Sequence, residues 1–274
     1  MLERIETLVL RDDIDGVALL TVNRPQAHNA MNQDVIKVIH ALLDDLESDD
    51  SVNVIVFTGA GEQSFVAGAD INELVARTPV DAIKAVMQNL YERISKFSKP
   101  TIAAVNGFAF GGGSELAMAC DIRIGSTNAQ FALPETGLGI IPSAGGTQRL
   151  ARIVGIGRAT DMILSGRNLA ARDALHAGLI TELVEPEELI GAAFKLAGRI
   201  GSRGPLATKL ARLVISRGFD VDHETGMLLE QLAQALAYSS PEKHEGTSAF
   251  VEKRRPDFSR VHHERSAAPA SITK

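Results

Sequence analysis

Ile102-Ala103-Ala104-Val105-Asn106-Gly107-Phe108-Ala109-Phe110-Gly111-Gly112-Gly113-Ser114-Glu115-Leu116-Ala117-Met118 reads as a buried strand, a glycine turn and a helix that begins at the glutamate. Gly111, Gly112 and Gly113 have no Cβ, so this backbone can approach a ligand closely while its N–H groups stay free at the positive end of a helix. That is a natural anion socket. Glu115, set among apolar and glycine residues, is costly to desolvate, whereas a merely solvated glutamate has polar company. A second glutamate, Glu135, follows twenty positions later in another glycine-bearing turn, Leu133-Pro134-Glu135-Thr136-Gly137. Two carboxyls that share a dry cleft cannot both ionise cheaply, so one holds a proton at neutral pH and the pair becomes a candidate acid and base.

Outward from this core, strands and helices alternate. Thr7-Leu8-Val9-Leu10, a charged turn at Arg11-Asp12-Asp13 and Val17–Val22 read as β structure. The apolar residues Val35, Ile36, Ile39, Leu42, Leu43 and Leu46 recur at three and four and predict a one-sided helix over 32–47. Val52–Thr58 is a strand stopped by Gly59-Ala60-Gly61, and Thr78-Pro79-Val80-Asp81 opens a helix that runs toward Lys99-Pro100. Ile122-Arg123-Ile124 and 179–184 are further strands, with helices predicted at 157–165, 170–177, 186–200, 204–217, 222–238 and 241–252. Strand, helix and strand in sequence favour an α/β architecture with crossovers over a sandwich. Gly201-Ser202-Arg203-Gly204-Pro205 is the best hinge. It divides a core at 1–200 from a helical region at 201–254, followed by a polar, loosely ordered tail at 255–274.

Composition narrows the function. A chain of 274 residues with 45% hydrophobic content can fill a substantial core. The single cysteine, Cys120, excludes an internal disulfide framework, and its apolar neighbours predict a buried, inert thiol. The charged start, Met1-Leu2-Glu3-Arg4-Ile5-Glu6, is unlike an export signal, and no run is long and apolar enough to span a bilayer, so a cytoplasmic protein is expected. A net charge of −6 without a basic stripe argues against a nucleic-acid surface.

Familiar signatures fail. Gly107 and Gly112 have Walker spacing, but Gly113-Ser114 replaces the Lys-Ser/Thr pair. Ser143, in Ile141-Pro142-Ser143-Ala144-Gly145, lacks the first glycine of a nucleophile elbow and reads as a turn. The histidines show no metal-ligand spacing beside a carboxylate, apart from a solvated His262-His263, so no metal is expected. What remains beside the glycine turn is Phe65-Val66-Ala67-Gly68-Ala69-Asp70-Ile71-Asn72-Glu73-Leu74, a loop after a buried strand whose small residues could supply another N–H donor.

Together these segments resemble the enoyl-CoA hydratase/isomerase (crotonase) family. The resemblance runs through Val17–Pro25, Asn29-Ala30-Met31, Ala67–Ile71, Ala104–Gly107, Gly111–Ala117, Cys120-Asp121, Phe131–Glu135, Gly137–Pro142 and Gly145-Gly146-Thr147-Gln148-Arg149-Leu150. It continues to Glu245-Gly246 and Phe250–Arg254, covering nearly the whole chain in order. It implies a crotonase-like spiral of ββα turns with a C-terminal helical trimerisation region, and homotrimers that pair into hexamers. It implies an acyl-CoA substrate, an oxyanion hole from the N–H groups of Ala69 and Gly112, and Glu115 and Glu135 as the catalytic carboxyls. Ala27, His28, Ala67, Asp70, Ile71 and Lys253 fall on positions that line CoA in the family, Lys253 from a neighbouring subunit. No cofactor is implied beyond the CoA that the substrate carries.

Both glutamates present favours hydration of a trans-2-enoyl-CoA to a 3-hydroxyacyl-CoA, since members that only shift double bonds commonly carry an apolar residue at the position of Glu115. The alternatives are an enoyl-CoA double-bond isomerase and a non-catalytic acyl-CoA- or partner-binding protein. Gln63 and Asn72 stand where related proteins often place lysines, which removes two expected cations for the CoA phosphates. Ser143, where glycine is common, narrows the acyl pocket.

Overall fold

In the computed structural model, which describes residues 7–258, the chain winds as successive turns. Each sends one strand into a large sheet and, in most turns, a second into a small one. The described strands and helices, in chain order, begin with β1 (Val9–Ile14), β2 (Val17–Val22), α1 (Gln33–Ser48), β3 (Val54–Gly59), β4 (Ser64–Val66), α2 (Ile71–Val75), α3 (Pro79–Lys84) and α4 (Val86–Ser95). The middle of the chain holds β5 (Thr101–Val105), β6 (Phe108–Phe110), α5 (Gly112–Ala119), β7 (Ile122–Ser126), β8 (Gln130–Ala132), α6 (Gly146–Val154) and α7 (Ile156–Ser165). Last come β9 (Leu169–Ala170), α8 (Ala171–His176), β10 (Glu182–Val184), α9 (Leu189–Gly201), α10 (Pro205–Gly218), α11 (His223–Tyr238) and α12 (Pro241–Val251).

The large sheet has the order β1-β2-β3-β5-β7-β10 and the small one β4-β6-β8-β9. Within the large sheet only β1 and β2 pair antiparallel, and in the small sheet only β8 and β9 do. The pairs β3/β4, β5/β6 and β7/β8 repeat the same step, which is the ββα spiral that the family resemblance implies.

The spiral follows from which residues can be covered. All residues of β3 and β5 are buried, as parallel strands covered on both faces require. α1 buries Val35, Ile36, Ile39, Leu43 and Leu46 on one stripe, and Asn32 caps it by accepting from the Val35 N–H at 2.9 Å. Such a cap contributes about 1 kcal/mol, and each buried Leu or Ile about 1.5–3 kcal/mol.

Several sequence expectations are corrected. The first turn is not at Arg11-Asp12-Asp13, which lie within β1, but at Asp15-Gly16, whose positive φ angles of 49° and 78° suit a two-residue hairpin. An edge strand tolerates charges on its open side, and Arg11 pairs with Asp13 and Asp49. The helix expected from Thr78 toward Lys99 is two helices, broken at Ala85 with φ 49°. Its apolar face changes there: Val80 and Ile83 are exposed, whereas Met87, Leu90, Tyr91 and Ile94 are buried. The helix expected to begin at Glu115 begins at Gly112, with Gly111 as its cap, so Glu115 lies one turn in.

The chain divides into two compact units between Gly198 and Arg199. In the second, α10 and α11 pack on each other and Glu242 accepts the Leu206 N–H at 3.0 Å, capping α10 from another helix. Leu228, Leu232 and Leu236 on α11 are exposed. Among the described residues no helix is long and apolar enough to cross a membrane. His262-His263 and most of the polar tail fall outside the described residues.

Candidate active site

Two loops leave the small sheet side by side. After β4, Gly68 takes φ 105°, and a Cβ there would lie 3.1 Å from the Phe110 carbonyl oxygen and 3.7 Å from the Gly112 nitrogen. Met31 bridges this loop in parallel fashion: its N–H donates to the Gly68 carbonyl at 2.8 Å and its carbonyl accepts from the Asp70 N–H at 2.9 Å. The residue between, Ala69, therefore aims its own N–H away from that bridge.

After β6 the chain turns at Gly111, with φ 51°, and enters α5 at Gly112. A first-turn N–H has no partner inside its helix. A Cβ on Gly112 would stand 3.6 Å from the Ala69 nitrogen, which puts the two N–H groups next to each other. Among the described residues neither N–H donates a backbone hydrogen bond outside regular elements. Gly113 is required by contact, because a Cβ there would fall 1.7 Å from the Val66 carbonyl oxygen. The fully buried Tyr91 hydroxyl donates to the Gly112 carbonyl at 2.8 Å. Burial, and then the nearby Glu115, push the Tyr91 phenol well above its ordinary range, so it stays a donor.

Glu115 is 2% exposed, on α5. Its Oε1 accepts two main-chain hydrogen bonds, from Ala144 at 2.7 Å and Gly146 at 2.8 Å. Burial raises its pKa, and those N–H groups and Arg149 pull it back. Glu135 opens a short 3-10 turn, Glu135–Leu138, and its Oε1 would lie 3.1 Å from a Cβ on Gly111. Its buried Oε2 has no hydrogen-bond partner among the described residues. Burial, with a further push from Glu115, raises its pKa to about 7, against the lowering effect of its own N–H. The glycine turn, both carboxylates and the two N–H groups thus surround one region. Two donors beside two carboxyls of unlike environment suit a reaction that builds negative charge on an oxygen while one proton leaves and another arrives.

The other sequence-predicted positions have different surroundings. His28 is exposed at φ 50°, Ala27 is half-buried before it, and the His28 carbonyl accepts the Ala67 N–H at 3.1 Å, so this turn braces the Ala69 loop. The Asp70 carboxylate is already engaged: it pairs with Arg24 at 2.9 Å and caps α2 through the Asn72 N–H. Ile71 is 55% exposed. Gln63 and Asn72 are exposed, and Gln63 lines a shallow hollow with Glu62, Phe108, Asn128 and Gln130. Ser143 is exposed, Cys120 is buried, and Lys253 lies in the second unit at φ 55°. Reading by residue type passed over Tyr91, Ala144, Gly146 and Arg149. Main-chain donors carry no side-chain signal, although the turn read at Ile141-Pro142-Ser143-Ala144-Gly145 contains Ala144, which supplies one.

A family model described as enoyl-CoA hydratase/isomerase matches residues 12–261. The chain is 45% identical over 241 residues to a short-chain-enoyl-CoA hydratase of Clostridium acetobutylicum, an alignment covering 87% of this chain and 92% of the relative. It is 41% identical over 255 residues to a crotonyl-CoA hydratase of Syntrophomonas wolfei, covering 92% and 98%. The crystal structure of an enoyl-CoA hydratase from Bacillus anthracis superposes with a TM-score of 0.89 at 36% identity, covering 92% of this chain and 98% of that one.

Proposed function

The chain belongs to the enoyl-CoA hydratase/isomerase family, and from that premise we propose that it hydrates a trans-2-enoyl-CoA to a 3-hydroxyacyl-CoA with Glu115 and Glu135 as base and acid. The observation that carries the reading is the pair of unlike carboxyls beside two adjacent N–H groups. Relatives named as hydratases of short-chain and crotonyl thioesters support the reaction class.

Water is a weak nucleophile, and its addition at C3 throws charge onto the thioester oxygen. The N–H groups of Ala69 and Gly112 receive that oxygen; losing one such donor typically costs about 10²–10³ in rate. Glu115, with Oε1 fixed by two N–H groups, orients water and takes its proton through the other oxygen as the C3–O bond forms. Glu135 gives its proton to C2. One water is consumed, no electrons are lost, and proton exchange with solvent resets both carboxyls. The macroscopic titrations belong to the pair. No cofactor is needed beyond the CoA of the substrate.

Ala27, His28, Ala67 and Ile71 are proposed to lie along the CoA, with Asp70 serving through the loop it caps and pairs. Lys253 is proposed as the cation that reaches the nucleotide of a neighbouring subunit in a homotrimer, or in a hexamer made of two. The expected compartment is the cytoplasm. Purified protein given crotonyl-CoA should remove the conjugated-enoyl absorbance. Fast conversion of a 3-enoyl-CoA with negligible hydration would instead favour isomerisation, and inertness toward short, medium and branched enoyl-CoAs would favour a binding protein.

A further inference from the structure

The two N–H groups that hold Glu115 belong to one turn, and that turn is itself held. Ala144 and Gly146 flank Gly145, whose φ is 107°, and both N–H groups reach the same Glu115 oxygen. Arg149, in the first turn of α6, folds back over this turn. Its Nη1 donates to the Ala144 carbonyl at 3.1 Å, so one peptide unit on each side of Ala144 is occupied: N–H to Glu115, C=O to Arg149. Its Nη2 donates to Glu92 Oε1 at 2.6 Å and Ser95 Oγ at 3.3 Å, both on α4. A Cβ on Gly145 would lie 2.1 Å from Nη1, so any larger residue there would push the guanidinium away, and the φ of 107° already favours glycine. A cation near the N-terminus of a helix opposes the helix dipole and is a poor choice for stability alone. Here the side chain is 17% exposed. A lysine could carry the charge but not the planar fork that serves a helix and a turn at once.

We propose that Arg149 is a positioning residue for the water-activating carboxylate: it clamps the Ala144–Gly146 turn to α4, so that both N–H groups fix Oε1 of Glu115 and leave its second oxygen to water. This rests on the hydration reading. Helix α4 then supports both halves of the site, since it also carries Tyr91 against Gly112. The other charged or titratable groups around the Glu115 helix are Tyr91 on α4, Glu135 on the 3-10 turn, and Cys120 and Arg123 at the far end, where Arg123 donates to the Ala117 and Cys120 carbonyls. Behind Arg149 stand Glu92 and its second partner, Lys96. Of these, Arg149 is the charge that favours ionised Glu115.

The test is steady-state kinetics on crotonyl-CoA across pH, normalised to folded protein, with E115Q measured beside it. R149M should lower kcat by about 30-fold, within the range a small misplacement of a reacting group can cost, with KM nearly unchanged. The acidic limb of its kcat profile should move to higher pH, because Glu115 loses a favourable charge. R149K should return the limb toward wild type while recovering only part of kcat. If R149M does not fold, E92Q, which frees the far end of the guanidinium, should lower kcat several-fold without raising that limb. Wild-type activity and an unmoved limb in the folded variants, with E115Q inactive, would overturn the clamp and leave hydration standing. A wild-type protein inert toward enoyl-CoA would remove the hydration reading itself.

Discussion

The two carboxyls occupy opposite kinds of surroundings within one site. Glu115 is almost wholly enclosed, yet its charge is provided for, with two N–H groups on one oxygen and a guanidinium behind them. Glu135 is less enclosed, yet one of its oxygens is buried with no partner among the described residues, and its pKa is raised to about 7. Burial by itself does not decide which acid holds the proton. Burial raises both pKa values, and the donors offset part of that rise at Glu115, because hydrogen bonds accepted by a carboxylate favour its ionised form, whereas the dry oxygen of Glu135 receives none among the described residues. Glu115 is thereby suited to be the base and Glu135 the acid.

The largest effects should come from removing either role while keeping its shape. In E115Q the amide oxygen still accepts from Ala144 and Gly146, so the fold is retained while the base is lost. In E135Q a neutral group replaces a neutral acid but cannot release a proton. Each should lower kcat by about 10²–10⁴-fold, the usual worth of a general acid or base, with smaller changes in KM. Full activity in either would break the division between them.

A smaller effect should follow from disturbing the N–H pair. A Cβ at Gly146 would lie 2.9 Å from Glu115 Oε1 and 2.9 Å from the Pro142 Cβ. G146A should therefore displace the carboxylate and lower kcat by about 10²-fold, with the thermal midpoint only slightly reduced. The matching change near the acid, G137A, meets nothing within 4 Å and should be close to neutral in kcat. Equal losses from the two alanines would show that the enclosure of Glu115 has no special role.

The pH dependence should sharpen the same contrast. Rate must fall as pH drops below the value at which Glu115 is ionised, and fall again as pH rises through about 7, where Glu135 loses the proton it delivers. The kcat/KM profile of wild type should be bell-shaped, and E135Q should lose the alkaline limb from its residual rate. A flat profile between pH 6 and 9 would mean that Glu135 does not act in its neutral form.

How much of this was legible in the chain depends on where the physics sits. The helix Gln33–Ser48 shows its period, and the strand Thr101–Val105 its nearly unbroken apolar run, because burial on one face or on both dictates residue type. Glu115 stood out as a charge in apolar company, and Gly111 to Gly113 as a turn with room for a ligand. The short strands Ser64–Val66, Phe108–Phe110 and Gln130–Ala132 did not stand out, since three residues carry no period and each exists only through pairing with another turn of the spiral. The break at Ala85 was hidden for a related reason: local propensity favours one helix, and tertiary burial of Met87 and Tyr91 imposes two. The spiral itself was reached through family resemblance. Ala144 and Gly146 act through main-chain N–H groups that any residue but proline possesses, so no residue type could announce them.

The smallest predicted effect lies in stability and bears most directly on the dry oxygen of Glu135. Its pKa is raised from 4.5 to about 7 in the folded chain. Between those values the native state keeps a proton that the unfolded chain has released, so stability falls as pH rises through that window, and the contribution is intact only below about 4.5. Glutamine does not titrate. E135Q should therefore match wild type in thermal midpoint near pH 4 and exceed it by a few degrees near pH 8, the modest size reflecting the partial exposure of Glu135. E115Q should show a weaker pH-dependent gain, because the N–H groups that hold its carboxylate lose a charged partner when the charge goes. The decisive measurement is the difference between the two variants across pH. If E135Q gains nothing at alkaline pH, its carboxyl is as well solvated folded as unfolded, and the two glutamates would have to be treated as equivalent acids instead of opposed ones.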